Sequence, residues 1–157
     1  MRHGSFEFPF PCSLTSTCTS AGRACPTYGL VDPSHECALG HYCPIGTQFP
    51  TQHKCPAGTW NPNSTLFIQG ADCLACPAGY ACLLGTGHSS QPLLVCARGS
   101  FCPAGTRFPT ERPCPRGTYT ESNALEADEQ CTVCPAGYHC IEGQAEVRPS
   151  FLDDYIR

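Results

Sequence analysis

The sequence predicts an elongated array of small disulfide-stapled modules, mostly irregular with short β-hairpins. Three observations carry that prediction. First, the stretch from Cys37 to Cys82 recurs from Cys96 to Cys140; one single-residue gap aligns all six cysteines, and about half of the positions are identical. Second, 15 of the 157 residues are cysteine, the density of a disulfide scaffold. Third, 16 Pro and 15 Gly accompany a single Trp and a single Met. Such a chain buries too little apolar surface per module to fold on a core alone, so cross-links must replace it. Each bridge stabilises by roughly 2–4 kcal/mol.

Cysteine density also sets the compartment. A reducing cytosol would leave these thiols open, so an oxidising, extracellular or cell-surface setting is expected. The first ten residues have a basic start but no continuous apolar segment, so no signal peptide is visible, and the chain reads as a mature or excised part of a longer precursor. No stretch approaches the ~20 apolar residues of a membrane span. A net charge of -4 with scattered basic residues offers no footprint for nucleic acid.

Five segments follow in order. Residues 1–11 form an aromatic, Pro-rich arm in which Phe6, Phe8 and Phe10 alternate, the spacing that shares one face of a strand. Residues 12–36 read as a partial, diverged module. Residues 37–95 and 96–140 are the two full repeats, and 141–157 is a cysteine-free tail ending in Phe151, Leu152, Tyr155 and Ile156. The cysteines fall into five alternating triads with a period of 58–59 residues, an array signature. Cys-Pro-x-Gly occurs six times, starting at Cys43, Cys55, Cys76, Cys102, Cys114 and Cys134. Pro fixes φ and Gly permits φ > 0, so each copy is expected to be a tight turn. Aromatics recur in register: Tyr42 with Phe101, Phe49 with Phe108, Trp60 with Tyr119, Tyr80 with Tyr138. Each is expected to cover a disulfide or a turn as local core. Gly58-Thr59-Trp60 and Gly117-Thr118-Tyr119 mark strand starts, and 122–130 is expected to hold about one helical turn capped by Ser122.

Cys114-Pro-Arg-Gly-Thr-Tyr followed by Cys131-x-x-Cys134-Pro-Ala-Gly-Tyr-x-Cys140 resembles the ephrin-receptor-like, or GCC2/GCC3, cysteine-rich repeat, which is similar in style to EGF-like and tumour-necrosis-factor-receptor modules. The copy beginning at Cys55 matches equally. The resemblance covers about residues 37–140 and, more loosely, 12–36. It implies spacers, stalks or protein-binding surfaces, with no shared catalytic residue. It also implies pairing of Cys55 with Cys73 and of Cys114 with Cys131. Cys76 and Cys82 would then interlock with Cys96 and Cys102, and Cys18 and Cys25 with Cys37 and Cys43. That scheme leaves Cys12, Cys134 and Cys140 as unpaired or interchain candidates; Cys134 and Cys140 could still pair with each other. Spacing alone does not fix connectivity.

Cys73-x-x-Cys76 and Cys131-x-x-Cys134 could be zinc knuckles or redox pairs, but repetition inside a high-cysteine chain favours structural disulfides. The six histidines do not recur at matching positions and read as scattered surface residues. No nucleophile elbow, phosphate loop, paired-carboxylate set or EF-hand pattern is present, so no catalytic, cofactor or metal residue is assigned. Asn63-Ser64-Thr65 is an N-glycosylation sequon in a long loop. The functional expectation is a non-enzymatic extracellular structural protein, part of a surface rod or filament and open to end-to-end self-association. Phe6, Phe8, Phe10, Phe151, Leu152, Tyr155 and Ile156 are its candidate contacts. The alternative is an ectodomain fragment that binds a protein ligand on loops 61–72 or 83–95. A protease inhibitor is a weaker third option.

Overall fold

The computed structural model describes residues 21–25, 35–63, 67–87 and 93–149. Phe6, Phe8, Phe10, Cys12, Cys18, Phe151, Leu152, Tyr155 and Ile156 lie outside them. Among the described residues there is no α-helix. Every sheet is a two-stranded antiparallel pair.

Seven hairpins follow one another among the described residues. Hairpin 1 pairs β1 (Arg23–Ala24) with β2 (His35–Glu36), and hairpin 2 pairs β3 (His41–Tyr42) with β4 (His53–Lys54). Hairpin 3 pairs β5 (Thr59–Trp60) with β6 (Leu74–Ala75), and hairpin 4 pairs β7 (Tyr80–Ala81) with β8 (Leu94–Val95). Hairpin 5 is closed by a single bridge, Ser100 to Pro113. Hairpin 6 pairs β9 (Thr118–Tyr119) with β10 (Thr132–Val133), and hairpin 7 pairs β11 (Tyr138–His139) with β12 (Arg148–Pro149). The expected strand starts at Thr59 and Thr118 are therefore present. The helical turn expected over 122–130 contracts to a 3-10 turn at Asp128–Gln130, preceded by Ala127 rather than capped by Ser122.

Each first strand is preceded by a glycine with positive φ: Gly22, Gly40, Gly58, Gly79, Gly99, Gly117 and Gly137. The structural unit is thus a hairpin of about 20 residues, and three of them make one 58–59-residue sequence period. Strand pairing in hairpin 7 runs through 148–149, so part of the cysteine-free tail belongs to the array.

All six Cys-Pro-x-Gly segments are turns. In each, the proline carbonyl accepts the N–H three residues on, at 3.1–3.3 Å, and the glycine φ lies between +80° and +90°. Where threonine follows the glycine, at Thr47, Thr59, Thr106 and Thr118, its hydroxyl also donates to that proline carbonyl at 2.6–2.7 Å. Thr47 and Thr106 are buried, and this bond is what makes a buried hydroxyl tolerable there.

Six disulfides lie among the described residues, and each joins one hairpin to the next. They are Cys37–Cys43, Cys55–Cys73, Cys76–Cys82, Cys96–Cys102, Cys114–Cys131 and Cys134–Cys140. Cys55–Cys73 and Cys114–Cys131 are bonded as the resemblance implied. The interlocking scheme is corrected. Cys76 bonds Cys82, Cys96 bonds Cys102, and Cys37 bonds Cys43, while Cys134 and Cys140 bond each other and are neither free nor interchain. Each of these local pairs spans six residues across a glycine turn that brings the Cα atoms to 5.7–5.9 Å, within bridging range, so the near partner captures the thiol. Cys25 is also disulfide-bonded.

The core is correspondingly built of sulfur. Cys37, Cys43, Cys55, Cys76, Cys82, Cys96, Cys102 and Cys114 are at most 1% exposed, and the largest fully buried side chain is Asn61. Phe101 packs on a cluster of Cys114, Leu125 and Cys131, covering that disulfide as expected. Tyr42 stacks on His53 with ring centroids 5.5 Å apart and meets the backbone at Gly70 of hairpin 3. Tyr80, Tyr138, Phe49 and Phe108 depart from the core expectation: all four are exposed. Tyr80 alternates with the buried Ala81 in β7, both residues of β11 are exposed, and Phe49 and Phe108 lie in the loops of hairpins 2 and 5.

Candidate functional site

The recurrent feature is the junction between hairpins. In hairpins 1 to 6 the glycine before the first strand donates its N–H to the residue three positions after the corresponding glycine of the next hairpin. Those acceptors are the carbonyls of Cys43, Asn61, Cys82, Cys102, Thr120 and Cys140, at 2.7–3.1 Å. The residue three after each glycine then donates to the following hairpin's turn: Cys25 to Thr47, Cys43 to Phe67, Asn61 to Thr86, Cys82 to Thr106, Cys102 to Leu125 and Thr120 to Gln144. A second tier skips one hairpin. Gly85 donates to Cys55, Gly105 to Cys76, Ala124 to Cys96 and Gly143 to Cys114, at 2.9–3.1 Å. Each hairpin therefore holds the next two, a quasi-one-dimensional array.

The close approach in the second tier explains two glycines directly. A Cβ on Gly40 would lie 2.1 Å from the Gly85 carbonyl oxygen, and a Cβ on Gly99 would lie 2.1 Å from that of Gly143. No side chain fits between backbones at that distance.

Hairpins 3 and 6 lack the cysteine found three residues after the glycine elsewhere. Asn61 and Thr120 stand there instead. Asn61 Nδ2 donates to the His41 carbonyl of hairpin 2 at 2.8 Å, so a hydrogen bond occupies the place of a sulfur bridge. Cys73 and Cys131 supply the staple from the far arm of the hairpin. This splits both Cys-x-x-Cys pairs between different disulfides, which removes the knuckle and redox readings for them.

Five loops are closed by one side-chain acceptor each. Gln52 accepts from the Gln48 N–H, Asp72 from Ile68 and Gln69, Glu111 from Arg107, Gln130 from Glu126, and Gln144 from Ile141, at 2.6–3.0 Å. The two carboxylates are held below their ordinary values. For Glu111 the cause is chiefly the Arg107 guanidinium, which donates to it at 2.9 Å. For Asp72 it is chiefly the Gln69 N–H, then that of Ile68.

Among the described residues no group of three or more His, Cys, Asp or Glu side chains converges. His41 is buried, contrary to the surface expectation, with Nδ1 2.8 Å from the Leu39 carbonyl. Asn63 is exposed, and its N–H is held by Asn61 Oδ1. Hairpin 4 exposes three apolar side chains, Leu84 and the cross-strand pair Tyr80 and Val95. A cavity of about 620 Å³ opens on hairpin 7 between His139, Arg148 and the loop 141–146. Sequence reasoning missed this end because it took 141–157 for a tail. The Gly137-Tyr-His-Cys140 signal, which matches Gly79-Tyr-Ala-Cys82, was available to find it.

No helix among the described residues is long and apolar enough to cross a membrane, and the disulfide content is consistent with an extracellular setting. Neither known family models nor curated proteins give a match to the chain.

Proposed function

We propose that the chain is a non-enzymatic structural protein of the extracellular space, a stapled hairpin array serving as part of a surface rod or filament. The observation that carries this reading is the uniform junction: six successive hairpin pairs share one hydrogen-bond pattern and one staple each. Cysteines dominate its buried residues, joined by four threonines, Asn61, His41, Ser100, two alanines and Leu125, so staples and turns outweigh an aliphatic core. The resemblance to GCC2/GCC3 modules agrees with a spacer role. Small-angle scattering on the oxidised protein tests the proposal. A particle with one dimension much longer than the other two is expected; a globular particle overturns it.

A second reading has one observation in its favour. Tyr80, Leu84 and Val95 expose apolar surface on hairpin 4; Tyr80 recurs as Tyr138, but Leu84 and Val95 lie in 83–95, where the two repeats differ, as a protein-ligand patch would require. A saturable partner whose binding is abolished by Tyr80→Ser with Val95→Ser would favour it.

A further inference from the structure

The last described hairpin carries one half of the internal junction, with no partner for it among the described residues. The Gly137 N–H corresponds to the six glycine N–H groups that bond forward, and the Cys140 N–H to those of Cys102 and Thr120; neither has a partner among the described residues. Gly40, Gly58, Gly79 and Gly99 each face a backbone carbonyl two hairpins on, within 2.1–2.9 Å of a built Cβ. Gly117 and Gly137 have the same positive φ, and nothing lies within 4 Å of theirs. His139 holds the position of Phe101, which hairpin 6 covers with Leu125, yet His139 lines the open cavity with Ile141 and Arg148.

We infer that this end is a docking seat for a hairpin of a second copy of the chain, added head to tail in the register of the internal junctions. The occupant follows from continuity with those junctions. The seat's donors and glycine gaps are spaced for a hairpin of this kind, and the chain carries several. The residue after β12 is Ser150, where every other described hairpin has cysteine, so the docked contact is non-covalent and depends on concentration. A heterologous head-to-tail contact propagates as a filament wherever its rotation does not close a ring. The inference rests on the structural reading above and adds the site of assembly.

The test combines sedimentation of the oxidised chain over a concentration series with amide hydrogen exchange read on residues 137–146. Growth in steps of one chain, with exchange in 137–146 slowing as assembly proceeds, is expected. Ile141→Asp, at an exposed lining position that costs the fold little, is expected to weaken association about ten-fold or more, because it places a charge in the contact. Phe108→Asp, at the exposed tip of hairpin 5, should leave association unchanged. Protection of 137–146 already present in the dilute monomer would mean that the same chain fills the seat, and would overturn the inference. Association unaffected by Ile141→Asp would overturn the seat while leaving an assembling rod. A strictly monomeric rod would overturn the seat while leaving the array, and a globular particle would remove the structural reading itself.

Discussion

Gly99→Ala and Gly105→Ala form a matched pair that isolates the second-tier stacking contact. Both glycines have similar positive φ, +77° and +85°. An alanine at either position therefore meets the same backbone cost of about 1–2 kcal/mol. Their surroundings differ. A Cβ at 105 meets nothing within 4 Å, whereas a Cβ at 99 would lie 2.1 Å from the Gly143 oxygen. Hairpin 7 must then move away, which breaks the Gly143-to-Cys114 and Thr120-to-Gln144 bonds. At about 1 kcal/mol for each bond, Gly99→Ala is expected to cost about 2 kcal/mol more than Gly105→Ala. Denaturant unfolding with disulfides intact measures the totals, and hydrogen exchange locates them. In Gly99→Ala the extra loss concentrates in residues 137–149, because that hairpin is free to detach locally. Equal stabilities for the two variants, or unchanged exchange in 137–149, would refute the stacking argument.

The remaining predictions use other parts of the array. Ala124 is the one described non-glycine residue with positive φ, at +63°, and its N–H bonds Cys96 as Gly85, Gly105 and Gly143 bond their partners. Ala124→Gly should stabilise by about 0.5–1 kcal/mol in thermal unfolding, since relief of the left-handed strain exceeds the added chain entropy. Replacing Cys114 and Cys131 by serine should cost about 1 kcal/mol more than the same change at Cys96 and Cys102. The closed loops span 17 and 6 residues, and the first pair also supports Phe101 and Leu125, so paired thermal melts decide it. The folded pKa values of Glu111 and Asp72 are depressed below 4.5 and 3.8, so their loop-closing contribution is complete above those values and lost as pH falls through the folded ones. The amide resonances of Arg107 and Ile68 should titrate in acid with them, while those of Gln48 and Glu126, held by Gln52 and Gln130, should not. Asn63, exposed in its loop, should carry a glycan when the chain passes through a eukaryotic secretory pathway, seen as a mass lost on enzymatic deglycosylation.

The turns and the repeat were legible because they rest on local chemistry. Cys-Pro-x-Gly-Thr encodes its own geometry within five residues, and the structure keeps it at Cys55 and Cys114 alike. The shorter hairpin repeat was hidden by substitution. Asn61 and Thr120 break the cysteine spacing that would have shown it, and Cys73 and Cys131 take over the bridging from another point in the hairpin. The glycines at 22, 40, 58, 79, 99, 117 and 137 carry the true period, but glycine is common enough in this chain to mask it. Pairing across wider intervals failed as an expectation because a turn of six residues already brings two thiols into range. The exposure of Phe49 and Tyr80 was not legible, since sequence register says that two aromatics are equivalent without saying which face they occupy.

The staples also decide what happens when the ends of the array are pulled apart. Because each of the six bridges among the described residues joins neighbouring hairpins, tension crosses the sulfurs and bypasses the loops between them. From residue 37 to residue 140 the path under tension keeps only 43–55, 73–76, 82–96, 102–114 and 131–134, about 44 residue steps in place of about 103, each step reaching at most ~3.6 Å. Fully unravelled, the oxidised stretch from 37 to 140 extends to roughly half the length of the reduced one. The covalent pattern is therefore that of a tether with a built-in stop, whose maximum reach is set by its redox state.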